Sequence, residues 1–321
     1  MNPWTIKSDT PTIAPGQIQL EYDSHAAGAA HVIVRGDEYL MTYWGIAENK
    51  YYILSATSPI DDPNNWTAVK GPLLSPQPGS KYNCQGPSFP FLLPVTEDYH
   101  LLYYTGWGTR DDGKLPNTMG VAESHDGGKT FQYIDKHPVI PNDQPYDMDG
   151  AGSLWVMIED GLFRMWYTCI GHYYDRPEGA ETGHGATIPS IGIGYAESDD
   201  GINWRKPLDH RVVEPRLFGI EPYEYICSKP AIVKNGDTYT LWVNTFGTAY
   251  RVHRLTSTDG LNWEWGERQG PEGELSTGEA GAYDGIQRSY PTMVAHEGIY
   301  RCWFTGNGFG NRGMGYAESK I

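Results

Sequence analysis

Cysteine, basic side chains and long apolar runs are all scarce in this sequence, and each shortage removes a class of protein. The four cysteines among 321 residues, Cys84, Cys169, Cys227 and Cys302, are scattered without Cys-x-x-Cys spacing. Neither a zinc site nor a disulfide framework is indicated, and reduced thiols are expected. No apolar stretch approaches the length of a membrane span, and the opening Met1-Asn2-Pro3-Trp4-Thr5 has neither a basic start nor a secretory hydrophobic run. The expectation is a cytoplasmic protein with no membrane partner. Only 24 Lys and Arg stand against 40 Asp and Glu, a formal net charge of -16. Nucleic acids and anionic membranes demand clustered basic groups, so they are excluded as partners and a neutral ligand fits better. No cofactor or metal motif is present, and the sequence leaves the oligomeric state open.

What the sequence has instead is 39 glycines, 23 prolines and 13% aromatic residues, a composition of many short strands and tight turns. A unit recurs five times. Each copy has a strand rich in Tyr and Trp: 39–44, 101–106, 163–167, 239–243 and 300–306. Each then has a strand that ends in a polar turn, clearest in Glu123-Ser124-His125-Asp126-Gly127, Glu197-Ser198-Asp199-Asp200-Gly201 and Ser257-Thr258-Asp259-Gly260. The matching serines, Ser58, Ser124, Ser198, Ser257 and Ser319, are spaced by 66, 74, 59 and 62 residues, which suits four-stranded blades with loops. The last copy stops without a fourth strand, whereas Trp4-Thr5-Ile6-Lys7 belongs to no copy. The reading is an all-β, five-bladed β-propeller of four-stranded antiparallel blades, one domain over 1–321, its ring closed by the N-terminal strand. A two-sheet sandwich is the rival, disfavoured by five equivalent units.

In such a meander, the segment leading into each first strand and the loop joining the second and third strands share one face, the mouth. The lead-in segments are 21–25, 82–85, 146–150, 221–225 and 283–288, and four of the five carry carboxylates at nearly equivalent positions. Glycosidic cleavage needs one carboxylic acid to protonate the leaving oxygen and one carboxylate opposite it, and a third acid can tune the donor. Asp23, Asp149 or Asp147, and Glu224 are the candidates. Short polar residues also simply begin strands. That reading weighs equally for any single acid and less for the matched group, with Asp284-Gly285 its weakest member. Further candidates for sugar hydroxyls are His25, His31, Gln85, Tyr223, Lys229, Gln287 and Arg288, although His31 also reads as a core histidine. The later loops add Trp107 and an insertion from Gly171 through His172 and Tyr173 to His184, expected as a mobile lid. Trp44 is open to either sugar stacking or core packing.

The sequence resembles the five-bladed glycosidases of glycoside hydrolase families 43, 32 and 117, and looks closest to uncharacterised relatives of that group. The resemblance rests on Tyr22-Asp23-Ser24 with Val32-Ile33-Val34, on 194–204, Gly-Tyr-Ala-Glu-Ser-Asp-Asp-Gly-Ile-Asn-Trp, and on the closing stretch 304–310. It implies an Asp base or nucleophile from the first blade, a helper Asp near the middle and a later Glu proton donor, the order of Asp23, Asp149 and Glu224. Family 43 acids usually sit on the inner strand beside a proline. The corresponding stretches here read Ala30-His31-Val32, Ser153-Leu154-Trp155 and Ser228-Lys229-Pro230, so the transfer is by blade position. The Asn-Asp-Pro word of family 32 is missing from the first blade.

The leading expectation is an exo-acting glycoside hydrolase on a small oligosaccharide or glycoconjugate. Glu224 would be the acid, Asp23 the base and Asp149 the helper. An inverting mechanism would set acid and base roughly 6.5 to 9.5 Å apart, a retaining one about 5 to 5.5 Å. A noncatalytic carbohydrate-binding propeller and a propeller lyase or transferase using mouth His and Arg are the alternatives.

Overall fold

A computed structural model describes residues 3–112, 114–217, 219, 223–266 and 273–321. Its strands run as antiparallel meanders in which sequence order is spatial order. After β1 (Thr5–Ile6) come β2 (Ala26–Arg35), β3 (Glu38–Ala47), β4 (Lys50–Pro59) and β5 (Thr67–Leu74), then β6 (Gly86–Pro94), β7 (His100–Trp107), β8 (Asn117–Ser124) and β9 (Gln132–Tyr133). The third group is β10 (Gly150–Glu159), β11 (Leu162–Asp175), β12 (Thr187–Ser198) and β13 (Trp204–Arg205). The fourth is β14 (Ile226–Asn235), β15 (Thr238–Phe246), β16 (Tyr250–Ser257) and β17 (Glu264–Trp265). The last strands are β18 (Ser289–His296), β19 (Ile299–Thr305) and β20 (Met314–Lys320), and β1 pairs antiparallel with β20 through Thr5↔Glu318 and Ile6↔Ala317. The third and fourth groups are joined by a single parallel pair, Ile191↔Ile226. The first strands of the groups pack in cyclic order, β2 on β6, β6 on β10, β10 on β14, β14 on β18 and β18 back on β2.

The aromatic strands seen in the sequence are the second strands, and their rings fill the seams between sheets. Trp166, Trp242, Trp303, Tyr39 and Tyr103 are fully buried there. The serine turns are what they dock on. In the third group, Gly201 N bonds Ser198 Oγ (3.0 Å), and Asp200 Oδ1 collects the N–H groups of Ile202 and Asn203. The turn then offers Gly201 O to Tyr103 Oη of the preceding sheet at 2.6 Å, and Gly260 O accepts in the same way from Trp166 Nε1 at 2.6 Å. Gly201 has φ +75°, and a Cβ there would stand 2.7 Å from Leu101 Cδ1. Gly201→Ala is therefore expected to cost about 2–4 kcal/mol, from left-handed strain plus overpacking at the seam. A urea melt reads this directly, and a loss below about 0.5 kcal/mol, the scale of an ordinary surface substitution, would refute the docking argument.

Each inner strand is broken by a bulge at the same height. Two residues face one across Gly28/His31, Ser88/Phe91, Ala151/Leu154, Ser228/Ala231 and Ser289/Thr292. The first bulged residue is left-handed in four of them, at Ala29 (φ 45°), Phe89 (φ 45°), Lys229 (φ 50°) and Tyr290 (φ 52°). Side chains of the neighbouring sheet catch three of the freed N–H groups: Thr305 Oγ1 takes Ala29 N, Thr168 Oγ1 takes Lys229 N and Asn244 Oδ1 takes Tyr290 N, at 2.8, 3.0 and 3.0 Å. Bulges re-aim side chains, and non-glycine residues held left-handed collect at functional sites.

Candidate functional site

A cavity of about 720 Å³ opens on the face where the lead-in segments meet the loops between second and third strands. The bulges supply part of its lining through Phe89, Gly152, Ser153 and Tyr290. Aromatic walls come from Trp44, Tyr51, Trp107, Phe246, Tyr250 and Phe309, and polar groups from Asn49, Gln85, Asn117, Asn311, Ser153, Thr168, Ser228, His25 and His184. Among the described residues, no Asp, Glu, Lys or Arg lines it. Tyr51 and Trp107 stack at 5.4 Å and 14°, and Trp107 Nε1 is fixed by Ser88 Oγ at 2.6 Å. On another wall Tyr290 and Phe309 stack at 6.3 Å and 22°, while Tyr290 Oη donates to Tyr250 Oη at 2.9 Å.

The matched acids lie elsewhere. Each lead-in carries tyrosine followed by an acid or its amide: Tyr22-Asp23, Tyr82-Asn83, Tyr146-Asp147, Tyr223-Glu224 and Tyr283-Asp284. The tyrosine carbonyl crosses a glycine of the second strand or just beyond it. A Cβ on Gly45, Gly106, Gly171, Gly247 or Gly306 would stand 2.6, 2.7, 3.2, 2.2 or 2.8 Å from that oxygen. The side chain that follows is enclosed: Asp23, Asn83, Asp147 and Glu224 are 0% exposed and Asp284 is 2%. Asp23 accepts from Tyr43 Oη and Gly16 N, both at 3.1 Å. Asp147 accepts from Tyr167 Oη (2.8 Å), Gln144 N (3.0 Å) and Lys206 Nζ (2.7 Å). Glu224 Oε1 accepts from Thr245 Oγ1 at 2.6 Å, with His253 Nε2 at 3.3 Å and Arg251 at 3.8 Å. Asp284 is paired with Arg288 at 2.8 Å. Asn83, uncharged, occupies the same station, with Nδ2 donating to Gln77 Oε1 and Tyr133 Oη at 3.3 Å. These positions match because the lead-in itself repeats, and the structure does not bring their carboxylates together at the cavity.

Burial pushes the Asp23 carboxyl above its usual range against the opposing hydrogen bond from Tyr43. In Glu224 burial acts the same way, but His253, Thr245 and Arg251 outweigh it and the carboxyl sits below its usual range. Asp149 differs from both. Its side chain is 9% exposed, and both oxygens are held by Lys114 Nζ (2.8 and 2.9 Å), with Arg110 at 3.2 Å, from the loop whose Leu115 lines the cavity.

Of the other residues singled out in the sequence, His25, Gln85, Trp107, Trp44 and His184 line the cavity. The rest do not. His31 and Lys229 are enclosed, Gln287 Nε2 donates to Ser289 Oγ (2.6 Å), and Arg288 is spent on Asp284 and the Ser276 carbonyl. His172 is exposed against Tyr174, and Tyr223 stacks on Tyr225. Glu221 and Pro222 lie outside the described residues. The insertion extends the β11–β12 hairpin to Asp175↔Thr187 and is tied to the fourth sheet by Gly183 N to Gly247 O at 2.7 Å, which brings Gly183 and His184 over the cavity. Among the described residues no three His, Cys, Asp or Glu side chains gather as metal ligands would, and no helix is long and apolar enough to cross a membrane. The sequence reading passed over Tyr51, Phe89, Asn117, Phe246, Tyr250, Tyr290 and Phe309. Phe89-Pro90 and Tyr290-Pro291 carried a usable signal, since proline inside a strand run marks a bulge.

The fold, all-β with four-stranded antiparallel sheets, is shared with solved glycoside hydrolase structures. A solved BT0996 RGII complex superposes with a TM-score of 0.75 at 20% identity, covering 100% of this protein and 93% of that one. A structure from work on the GH130 mannoside phosphorylases and glycoside hydrolases gives 0.69 at 13% identity, covering 99% and 94%. A thermostable family-43 glycoside hydrolase gives 0.67 at 13% identity, covering 96% and 92%. These are likenesses of fold. No family model matches the sequence. Two uncharacterized proteins of Mycobacterium tuberculosis, MT1551 (strain CDC 1551 / Oshkosh) and Rv1502 (strain ATCC 25618 / H37Rv), are each 31% identical over 220 residues, 68% of this protein and 67% of theirs. This protein belongs to their family.

Proposed function

We propose that this protein is a single five-bladed propeller, fastened by β1, that acts as a glycoside hydrolase on a neutral sugar held in the mouth cavity. The cyclic packing of the inner strands and the β1–β20 pairing support the ring. One observation carries the function: aromatic faces, amides and hydroxyls surround the cavity and no charged side chain among the described residues lines it. Pyranose and furanose rings present C–H faces to aromatic rings and hydroxyl edges to amides, so this lining fits an uncharged sugar. A cavity of about 720 Å³ has room for the end of a glycan, which fits exo action. Asp149, held by Lys114 beside the cavity-lining Leu115, is the proton donor in this reading.

That no carboxylate among the described residues lines the cavity favours a second reading, saturable sugar binding without turnover. A panel of aryl furanosides and pyranosides, followed by aryl release and by calorimetric binding, separates the two. Trp107→Ala removes one half of a stacked wall and is expected to weaken binding by about 2 kcal/mol, roughly thirty-fold. Asp149→Asn is expected to lower turnover by about 10²–10⁴ while leaving binding intact. Turnover untouched in Asp149→Asn would remove that residue from the mechanism, and binding without release in the parent would establish the second reading. Proton NMR of the first-formed anomer tests the expected inversion.

A further inference from the structure

Six of the rings that line the cavity touch in one unbroken series. Trp44 of β3 meets Phe89 of β6 edge-on at 4.5 Å, and Phe89 meets Tyr290 of β18 edge-on at 5.0 Å. Tyr290 stacks on Phe309, in the connection between β19 and β20, at 6.3 Å. Phe309 meets Tyr250 of β16 edge-on at 5.8 Å, and Tyr250 meets Phe246 of β15 at 4.7 Å. Three of the six stand on left-handed backbone, Phe89 (φ 45°), Tyr290 (φ 52°) and Phe309 (φ 57°), a conformation that bulky residues adopt only where the surroundings impose it. The series also reaches out of the cavity. Phe309 is 48% exposed, and the segment tied to it carries Ile286, 77% exposed. Asn307 Oδ1 accepts from Ile286 N (2.8 Å) and Gln287 N (2.9 Å), and Gln287 Oε1 accepts from Phe309 N at 3.4 Å. Gln287 Nε2 is anchored in turn on Ser289 Oγ of the β18 bulge at 2.6 Å.

The aliphatic hydroxyls of the lining lie in another sector, on the third and fourth groups of strands. Ser153 Oγ of β10 and Thr168 Oγ1 of β11 are 3.0 Å apart, and Ser228 stands on β14. Asn117 joins them, since a Cβ on Gly152 would stand 3.7 Å from Asn117 Nδ2 and 3.9 Å from Thr168 Cβ. Asp149 adjoins this cluster, because a Cβ on the next residue, Gly150, would stand 2.9 Å from Asn117 O. The cavity volume of about 720 Å³ is in the range of sites for drug-sized molecules rather than for one sugar ring. We propose that the aromatic series is a subsite for an aryl leaving group, so that the substrate is an aryl glycoside with its sugar at the hydroxyl cluster. This rests on the sugar reading of the cavity and adds to it the class of aglycone. A flat aromatic group can meet Tyr290 and Phe309 stacked or edge-on, and it would cover the apolar surface that Phe309 leaves in water. Hydrolysis breaks the bond between the anomeric carbon and the departing oxygen. Water adds its hydroxyl to that carbon, and a proton goes to the departing oxygen, so a free sugar and a phenol leave.

The test is calorimetric binding of free naphthol by the intact protein, beside matched methyl and naphthyl glycosides of the sugars in the panel above. The parent is expected to bind naphthol saturably, and to bind a naphthyl glycoside at least about ten-fold tighter than the methyl glycoside of the same sugar. Phe309→Gly removes one ring and suits the left-handed backbone, so it should melt like the parent. In that variant naphthol binding and the naphthyl-to-methyl ratio should each fall by about three- to ten-fold, the worth of one aromatic pair. No saturable naphthol binding, naphthol binding indifferent to Phe309→Gly, or methyl and naphthyl glycosides bound equally well would each overturn the aryl subsite, the last while leaving the sugar reading in place. Naphthol bound through Phe309 with no sugar of the panel bound would instead overturn the sugar reading and keep the aryl subsite.

Discussion

Glu224→Gln is expected to lose about 3 kcal/mol of stability at pH 7, whereas Asp23→Asn loses less than about 1 kcal/mol. Both acids are fully enclosed, but their surroundings have opposite signs. Glu224 lies 3.8 Å from Arg251 and 3.3 Å from His253, so removing its charge takes a buried counter-charge away from Arg251. Among the described residues Asp23 Oδ2 accepts from the Tyr43 hydroxyl and Oδ1 from Gly16 N; an amide keeps the second bond through its oxygen and can donate its nitrogen to the Tyr43 oxygen. The pH dependence separates them further. With its carboxyl below the usual range, Glu224 contributes stability that is fully present above its unfolded value and is lost as pH falls through its folded one. Asp23, raised by burial, works the other way: its charged form is penalised at neutral pH and relieved on acidification. Urea melts of parent and variants at pH 7 and pH 4 read both effects. Turnover lost in Glu224→Gln with stability unchanged would instead restore the catalytic role that the sequence suggested.

Lys229→Met is expected to raise stability at pH 7, by up to about 3 kcal/mol, and to gain progressively less as pH climbs toward the ordinary lysine value. The ammonium titrates at about 8 in the folded protein against an ordinary value of 10.5. Between those values the unfolded state holds more protons than the folded one, so the parent's stability increases with pH through that window. Below about 8 both states are protonated and the folded protein carries the whole penalty of the buried charge. Methionine has similar length and no charge, so it removes the penalty at every pH while keeping the bulge filled. A parent whose stability stays flat across that window relative to the variant would mean that the ammonium is already compensated.

Much of the architecture was legible because propeller seams impose a repeated chemistry. A large ring must fill each seam and a serine-aspartate turn must present a carbonyl to it, so Tyr103 with Gly201 and Trp166 with Gly260 leave visible words in the sequence. The candidate site was less legible for the same reason. Asp23, Asp147, Glu224 and Asp284 stand at matched places, and matched places in a repeated unit share burial as readily as they share function. Asn83, an amide at the same station, is the sign in the sequence that this station can serve as a polar anchor. The cavity lining obeys no repeat. Tyr51, Tyr250 and Phe309 reach it from different strands and loops, and only the three-dimensional crossing of those elements joins them. Strand position made Lys229 and His31 candidates for the mouth, His31 also as a core histidine; both are enclosed and neither lines the cavity, with His31 packed on Phe91.

The crossing of tyrosine carbonyls over Gly45, Gly106, Gly171, Gly247 and Gly306 has a bearing on how such a protein can diversify. The outline of the mouth is drawn by main-chain atoms in van der Waals contact, while the side chains that meet a ligand hang from that outline without supporting it. Specificity can therefore drift by exchanging Trp107, Tyr250 or Asn311 while the frame stays fixed, and relatives with the same frame need not share a ligand. Saturation mutagenesis scored for folding should show these glycines as intolerant positions beside a permissive lining.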